Sequence, residues 1–169
     1  MECGGITMLH VWLIGLHALA GVAAFAAGCV ALRRRSWFAV YLWSLVLLVA
    51  FLAADVAATW GGLGVALRAL FVAFLGLGAY MVWRALRARA LLATGEGPRS
   101  PSYLGHVGFT LVGLFDGFVV IGVLDLGAPG WLCAVFGVGV AVAGHLTLRT
   151  LKNRWYGPRS AVDASTGAT

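Results

Sequence analysis

The stretch WFAVYLWSLVLLVAFLAADVAATW, residues 37–60, decides the fold class of this chain. Only one of its residues, Asp55, is charged, and a helix that spans a membrane needs roughly 20 predominantly apolar residues. Further apolar segments lie on both sides of it, at residues 7–32, 65–84, 103–126 and 131–151. The sequence therefore predicts an all-α protein, a polytopic membrane bundle of five transmembrane helices.

The composition excludes the common alternatives. Of the 169 residues, 62% are hydrophobic and 11% are charged, whereas a soluble domain carries about 25% charged residues. This balance excludes a soluble globule, a disordered chain and a fibrous repeat. Five helices and short loops occupy residues 1–156 as a single domain, and the small and polar residues 157–169 predict a disordered tail.

The basic residues predict the orientation of the chain. Eleven of the 12 Lys and Arg residues lie at the same ends of alternate helices, for example at residues 33–35 and 84–89. Because positively charged loops face the cytoplasm, we expect the N-terminus outside and the tail in the cytoplasm of a multi-pass protein of the cell (inner or plasma) membrane. This rule also explains the net charge of +6 without nucleic acid, for which no binding motif is found.

Glycines predict how the helices pack. They recur every three to five residues in the fourth segment, where Gly108 is an example, and similarly in the fifth, where Gly144 is an example. Small residues let helix backbones approach closely in lipid. We therefore expect these two helices to form the tightly packed centre of the bundle.

Ionisable side chains within the spans form the main candidate site. Each costs about 2.5–3.5 kcal/mol at the bilayer centre, so each needs a reason to be there. With a rise of about 1.5 Å per residue, five of them fall in the outer half of four different helices: His17, Asp55, Arg68, Asp116 and Asp125. If these helices converge, the side chains enclose a polar pocket that opens to the outer leaflet.

Each of these residues has a structural and a functional interpretation. Asp55 and Arg68 flank one turn at equal depth, so they are expected to pair; alternatively, Arg68 anchors an anionic substrate group and Asp55 donates a proton. Asp116 lies at a similar depth to His17, its expected partner. Asp116 is expected to be protonated, because burial disfavours the charged form of a carboxyl group. It is then either a general acid or a carboxyl group bonded to backbone. Asp125 is either a turn residue or a contact of the substrate.

Other residues extend the list of candidates. Trp12 and Trp43 lie deeper than the interfacial tryptophans and are candidates for lining the pocket. His106 and His145 fall at matched depth, about 8–12 Å inward of the bilayer centre, on two helices that are expected to be adjacent. Such a pair is a candidate for ligating haem b or a metal ion; the alternative is that both residues only pack or face the interface.

The first three segments resemble a known family. The motifs are HALAG at 17–21, AFAAG at 24–28, Ala31-Leu32 before a basic turn, and AYMVWRA at 79–85. Over roughly residues 9–89 they resemble the bacterial predicted membrane-protein family "domain of unknown function 2306". The resemblance implies a helical membrane domain and draws attention to His17, and it implies no reaction.

Three classes of function are compatible with these observations. The first is a protein with a non-catalytic or binding role, whose outer polar pocket binds a small amphipathic or lipid-like molecule. The second is an intramembrane enzyme on a lipid or isoprenoid substrate, with Asp116 or Asp55 as general acid and His17 as its partner. The third is a haem b or quinone redox protein that uses His106 and His145. Membrane lipids are expected partners in every case, and an oligomer or a partner membrane subunit is compatible with each; we favour the first class.

Overall fold

Five long helices make up the fold in the computed structural model, which describes residues 3–95, 97–98 and 100–156. They are α1 (Cys3–Ala31), α2 (Phe38–Thr59), α3 (Val65–Ala93), α4 (Pro101–Asp125) and α5 (Gly130–Tyr156). No strand occurs in the described ranges. Each helix contains a stretch that is long and apolar enough to cross a membrane. The predicted all-α architecture with five such helices is therefore confirmed.

The C-terminal ends of two helices differ from the prediction, and α1 begins at Cys3, four residues before the predicted start at residue 7. α3 continues to Ala93, nine residues beyond the predicted end at residue 84. The added sequence is rich in alanine, leucine and arginine, which are strong helix formers, and the first glycine after it is Gly95. α5 likewise runs to Tyr156, five residues past the predicted end at residue 151. The predicted tail, residues 157–169, lies outside the described residues.

Short turns join the helices where glycine and proline predict them. A 3₁₀ turn at Trp60–Gly62 follows α2, and Gly127, with a φ of +77°, follows α4. Such a φ is favourable for glycine because it has no Cβ. At the start of α4, the Ser100 hydroxyl oxygen accepts a hydrogen bond from the backbone N–H of Tyr103 at 3.1 Å, and Pro101 begins the helix.

Successive helices are antiparallel, and α1 to α4 form a ring in which α4 packs against both α3 and α1. α5 packs on the outside of the ring against α4. This order brings the C-terminal ends of α1, α3 and α5 together with the N-terminal ends of α2 and α4. We call this the basic end because the described arginines other than Arg68, and Lys152, lie toward it. The opposite end, with residues 60–64 and 127–130, is the glycine-turn end.

The core occupies the half of the ring nearest the basic end. Its buried residues come from all four helices of the ring, for example Ala27, Leu45, Ala85 and Val107. Toward the glycine-turn end, by contrast, a Cβ added at Gly62, Gly76, Gly117 or Gly122 would meet nothing within 4 Å in the described structure. The buried core is thus concentrated in one half of the bundle, and we call the other the loosely packed half because few of its described side chains are buried.

The expectation that α4 and α5 together form the centre is only half correct. α4 is the most buried of the five spans, with 28% of its window buried, whereas α5 is the least buried, with 6%. Glycines do allow these two helices to approach, since Gly108 faces Leu148 and Gly144 faces Val112. The tertiary arrangement nevertheless leaves α5 with one substantial neighbour, so most of its surface is exposed.

Candidate binding site among the intramembrane polar residues

The closest polar contact within the helices joins α1 to α2. His10 Nδ1 lies 2.6 Å from Asp55 Oδ1. The Asp55 side chain is 11% exposed and that of His10 is 41% exposed. A charged group inside the membrane region is costly unless it is paired, and this contact supplies the partner. His10 was not among the residues predicted for the site.

A second histidine on the same face of α1 also contacts α2, closer to the basic end of the bundle. His17 Nδ1 donates a hydrogen bond to the carbonyl oxygen of Leu48 at 2.9 Å. His10 and His17 are seven residues apart, as are their partners Leu48 and Asp55. Seven residues are about two helical turns, so both histidines face α2. This spacing is the signal in the sequence that could have identified His10.

The expected ion pair between Asp55 and Arg68 is not what the structure contains. Arg68 places its guanidinium carbon 5.3 Å from the centroid of the Trp60 ring, and its buried Nε has no hydrogen-bond partner in the described part of the chain. Asp55 is occupied by His10 instead. Equal depth beside one turn is not enough to pair Asp55 with Arg68, because the rotation of each helix about its axis decides which way its side chains face.

Asp116 lies on a different interface from Asp55. It faces α5, where its Oδ1 is 3.6 Å from the position of a Cβ added at Gly137. This oxygen is buried, and no group in the described ranges forms a hydrogen bond with it. The expected partner, His17, is bonded to Leu48. The side chain of Asp125 lies outside the described residues, although its backbone ends α4.

The remaining predicted residues are peripheral. Trp12 and Trp43 are 68% and 66% exposed, so they present their rings mainly to the exterior of the bundle. His145 is exposed on α5, whereas His106 is partly buried on α4. His106 Nδ1 is buried without a hydrogen-bond partner in the described structure.

The prediction that His106 and His145 lie at matched depth is wrong. Gly105 lies beside Lys152, and Gly144 lies beside Val112, so residue 145 is opposite residue 111 or 112. His145 is therefore displaced from His106 by five or six residues, roughly 8 Å along the helix axis. Across the described residues, no group of three or more His, Cys, Asp or Glu side chains comes together as a metal site would require. Ligation of haem b by these histidines stays a prediction.

The candidate site is therefore smaller than predicted. The structure brings together His10 and Asp55, with His17 on the same helix face, and it separates this group from Arg68 and Asp116. The pair can exchange a proton between its two groups and can offer hydrogen bonds to a polar ligand. It lies in the half of the bundle where the helices pack loosely.

Comparison with known proteins finds no matching family model, no matching curated protein and no matching solved structure. The resemblance to "domain of unknown function 2306" stays a prediction.

Proposed function

We propose that this multi-pass membrane protein binds a small amphipathic molecule in the loosely packed half of the bundle, with the His10–Asp55 pair as the polar contact. The observation that carries this proposal is the 2.6 Å contact between a nearly buried carboxyl group and an imidazole that remains 41% exposed. An imidazole has two ring nitrogens. With Nδ1 on Asp55, the other ring nitrogen is available to a ligand.

The surroundings of the pair support an amphipathic ligand. Gly62, Gly76 and Gly122 are exposed, and an added Cβ would meet nothing within 4 Å in the described structure, so the helix surface near this end is open to contact with another molecule. The nearby surfaces are apolar, as Val65 and Leu67 illustrate, and both are exposed. Ligand sites are typically apolar with a few polar groups that fix orientation. A ligand with one polar head and an apolar body matches this description.

We propose further that the chain lies in the cell membrane with its basic end in the cytoplasm. The N-terminus and the His10–Asp55 pair then face the outer leaflet. This orientation follows from the positive-inside rule and from the arginines at residues 33–35 and 84–89.

Photochemical labelling tests the proposed binding. The probe is a long-chain fatty alcohol that carries a diazirine and an alkyne, added to the purified protein in nanodiscs. We expect labels in peptides that contain residues 8–17 and 52–60. Asp55→Asn and His10→Gln should each lower this labelling about tenfold, the scale of a lost hydrogen bond to a charged group.

His145→Gln is the matched control, because it makes the same chemical change at an exposed histidine on α5. It should leave the labelling of α1 and α2 unchanged. Equal labelling of α1 and α2 in all three variants and the wild type would contradict the proposal, as would labels confined to α5.

Asp116 favours a second candidate function, acid catalysis on a lipid or isoprenoid substrate. Its Oδ1 is buried and has no hydrogen-bond partner among the described residues. A carboxyl group kept away from water in this way favours its protonated form and can donate the proton. The test is to incubate the protein with a polyprenyl phosphate and analyse the products by mass spectrometry. Asp116→Asn, which keeps the size and removes the acid, should abolish any turnover that the wild type shows; turnover that survives would contradict this function.

A further inference from the structure

Two cations lie beside Gly105 of α4 toward the basic end, one on α3 and one on α5, and with the neighbouring His106 they form a cluster. Arg84 Nη2 donates a hydrogen bond to the carbonyl oxygen of Gly105 at 2.6 Å. Lys152 Nζ lies 2.7 Å from the position of a Cβ added at Gly105. His106 follows Gly105 in the sequence and lies on the same helix, α4. Cations from two helices, α3 and α5, thus lie beside the same residue of α4.

Acidic partners for these cations are scarce. The one contact between an acidic and a basic side chain that the described residues contain, His10–Asp55, lies toward the glycine-turn end. In the sequence, two acidic residues accompany eleven basic ones toward the basic end: Glu96 and Asp163, which both lie outside the described residues. The cations therefore greatly outnumber the carboxylates of this end.

Two buried atoms at the cluster point to an absent acceptor. Arg84 Nε and His106 Nδ1 are buried, and neither forms a hydrogen bond within the described structure. Arg84 Nε can only donate, and the histidine nitrogen donates when it is protonated. Buried polar groups are nearly always hydrogen-bonded in native proteins. An acceptor that carries negative charge would supply a partner for such a donor and would also offset the repulsion between Arg84 and Lys152.

The chemistry of the donors indicates a phosphate group. A planar guanidinium matches the geometry of phosphate oxygens, and lysine binds phosphate as a point charge. Arg84 is held in place by ring contacts, since its guanidinium carbon is 4.8 Å from the Phe109 centroid and 5.9 Å from the Tyr80 centroid. The Tyr80 and Trp83 rings stack on each other and are exposed on the surface of α3. An apolar chain could lie along this surface while the head group enters the cluster.

We propose that Arg84, His106 and Lys152 form a binding site for the phosphate of an anionic membrane lipid, in the leaflet next to the basic end. Basic recesses between transmembrane helices are known to bind anionic head groups. This site is separate from the His10–Asp55 pair and does not depend on the function proposed for that pair.

Native mass spectrometry tests the site, using the full chain in detergent titrated with phosphatidylglycerol. We expect saturable binding, and we expect phosphatidylcholine to bind at least about tenfold more weakly. Arg84→Gln and Lys152→Gln should each weaken phosphatidylglycerol binding by about tenfold, since each removes a charged donor to phosphate. Lys152→Gln keeps the test valid if Arg84→Gln fails to fold, because Lys152 makes no hydrogen bond to the backbone in the described structure.

Arg89→Gln and Arg149→Gln are the matched controls. They remove one positive charge each from exposed positions on α3 and α5 at the same end. Both should retain the wild-type affinity, whereas an equal loss in all four variants would show a non-specific surface charge and overturn the proposal. Equal binding of the two lipids would overturn it too. Displacement of phosphatidylglycerol by equimolar inorganic phosphate would assign the site to a soluble anion and overturn the lipid assignment.

Discussion

Single polar residues in this bundle are explained by the cost of leaving a polar group unsatisfied in an apolar environment. Tyr103 is an example, because its hydroxyl donates a hydrogen bond to the carbonyl oxygen of Ala31 at 3.0 Å. Ala31 is the last residue of α1, and the last carbonyls of a helix have no partner within the helix. The Tyr103 side chain on α4 therefore caps α1 within the core.

Removal of this hydroxyl is expected to destabilise the protein. Tyr103→Phe keeps the ring and leaves a buried carbonyl without its donor, which costs about 1–3 kcal/mol. The measurement is the free energy of unfolding in detergent micelles titrated with sodium dodecyl sulfate. Tyr80→Phe is the control, because the Tyr80 hydroxyl is on an exposed side chain, and this variant should change the free energy little. A Tyr103→Phe variant as stable as the Tyr80→Phe variant would refute the capping role.

The sequence identified the polar residues of the spans but assigned some of them the wrong partners. Counting along a helix gives depth, and depth placed Asp55 beside Arg68 and Asp116 beside His17. In the structure Asp55 contacts His10, and His17 contacts Leu48. The direction of a side chain around the helix axis depends on which helices are neighbours, and depth alone does not contain that information.

At the scale of the elements, close contacts at glycine set the register of α4 against α5. A Cβ added at Gly144 would overlap the side chain of Val112. Valine is branched at Cβ and has one strongly preferred rotamer in a helix, so it yields little. Gly139, on the same helix, has nothing within 4 Å of the position of an added Cβ in the described structure. These two glycines thus differ in their surroundings but share a helix.

This difference predicts unequal effects of the same substitution. Both Gly144→Ala and Gly139→Ala gain the helix propensity of alanine, but only Gly144→Ala introduces an overlap with Val112. We expect Gly144→Ala to be less stable than Gly139→Ala by about 1–3 kcal/mol, the cost of overpacking. The same detergent unfolding assay measures both. If Gly144→Ala proved equally stable or more stable, the tight contact between α4 and α5 at this position would be disproved.

At the scale of the whole molecule, buried residues and charged residues are both distributed unevenly between the two ends of the bundle. The core and most of the basic residues lie toward one end, whereas the loosely packed half and the His10–Asp55 pair lie toward the other. The cluster around His106 and the proposed amphipathic site therefore occupy opposite halves of the bundle. In a membrane with the predicted orientation, they would serve different leaflets.

Reporter fusions test that orientation. With five spans and a cytoplasmic basic end, green fluorescent protein fused after residue 169 should fluoresce, and alkaline phosphatase fused there should be inactive. Truncations after residue 62 or residue 128 supply the internal control: at both turns the phosphatase should be active and the fluorescent protein dark. The reverse pattern at the C-terminus and at these turns would invert the topology.

The sequence by itself determined the class of fold, the number of helices, the positions of the turns and the clustering of basic residues, because these follow from apolar length, glycine and proline, and charge along the chain. Only the tertiary structure decided that α5 is peripheral, that His10 is the partner of Asp55, and that His145 is displaced from His106. The physical reason is that hydrophobicity is similar on all sides of a helix in lipid. The helix periodicity of such segments therefore does not indicate which face meets which neighbour, and close contacts such as Gly28 against Leu111 and Tyr41 make that choice.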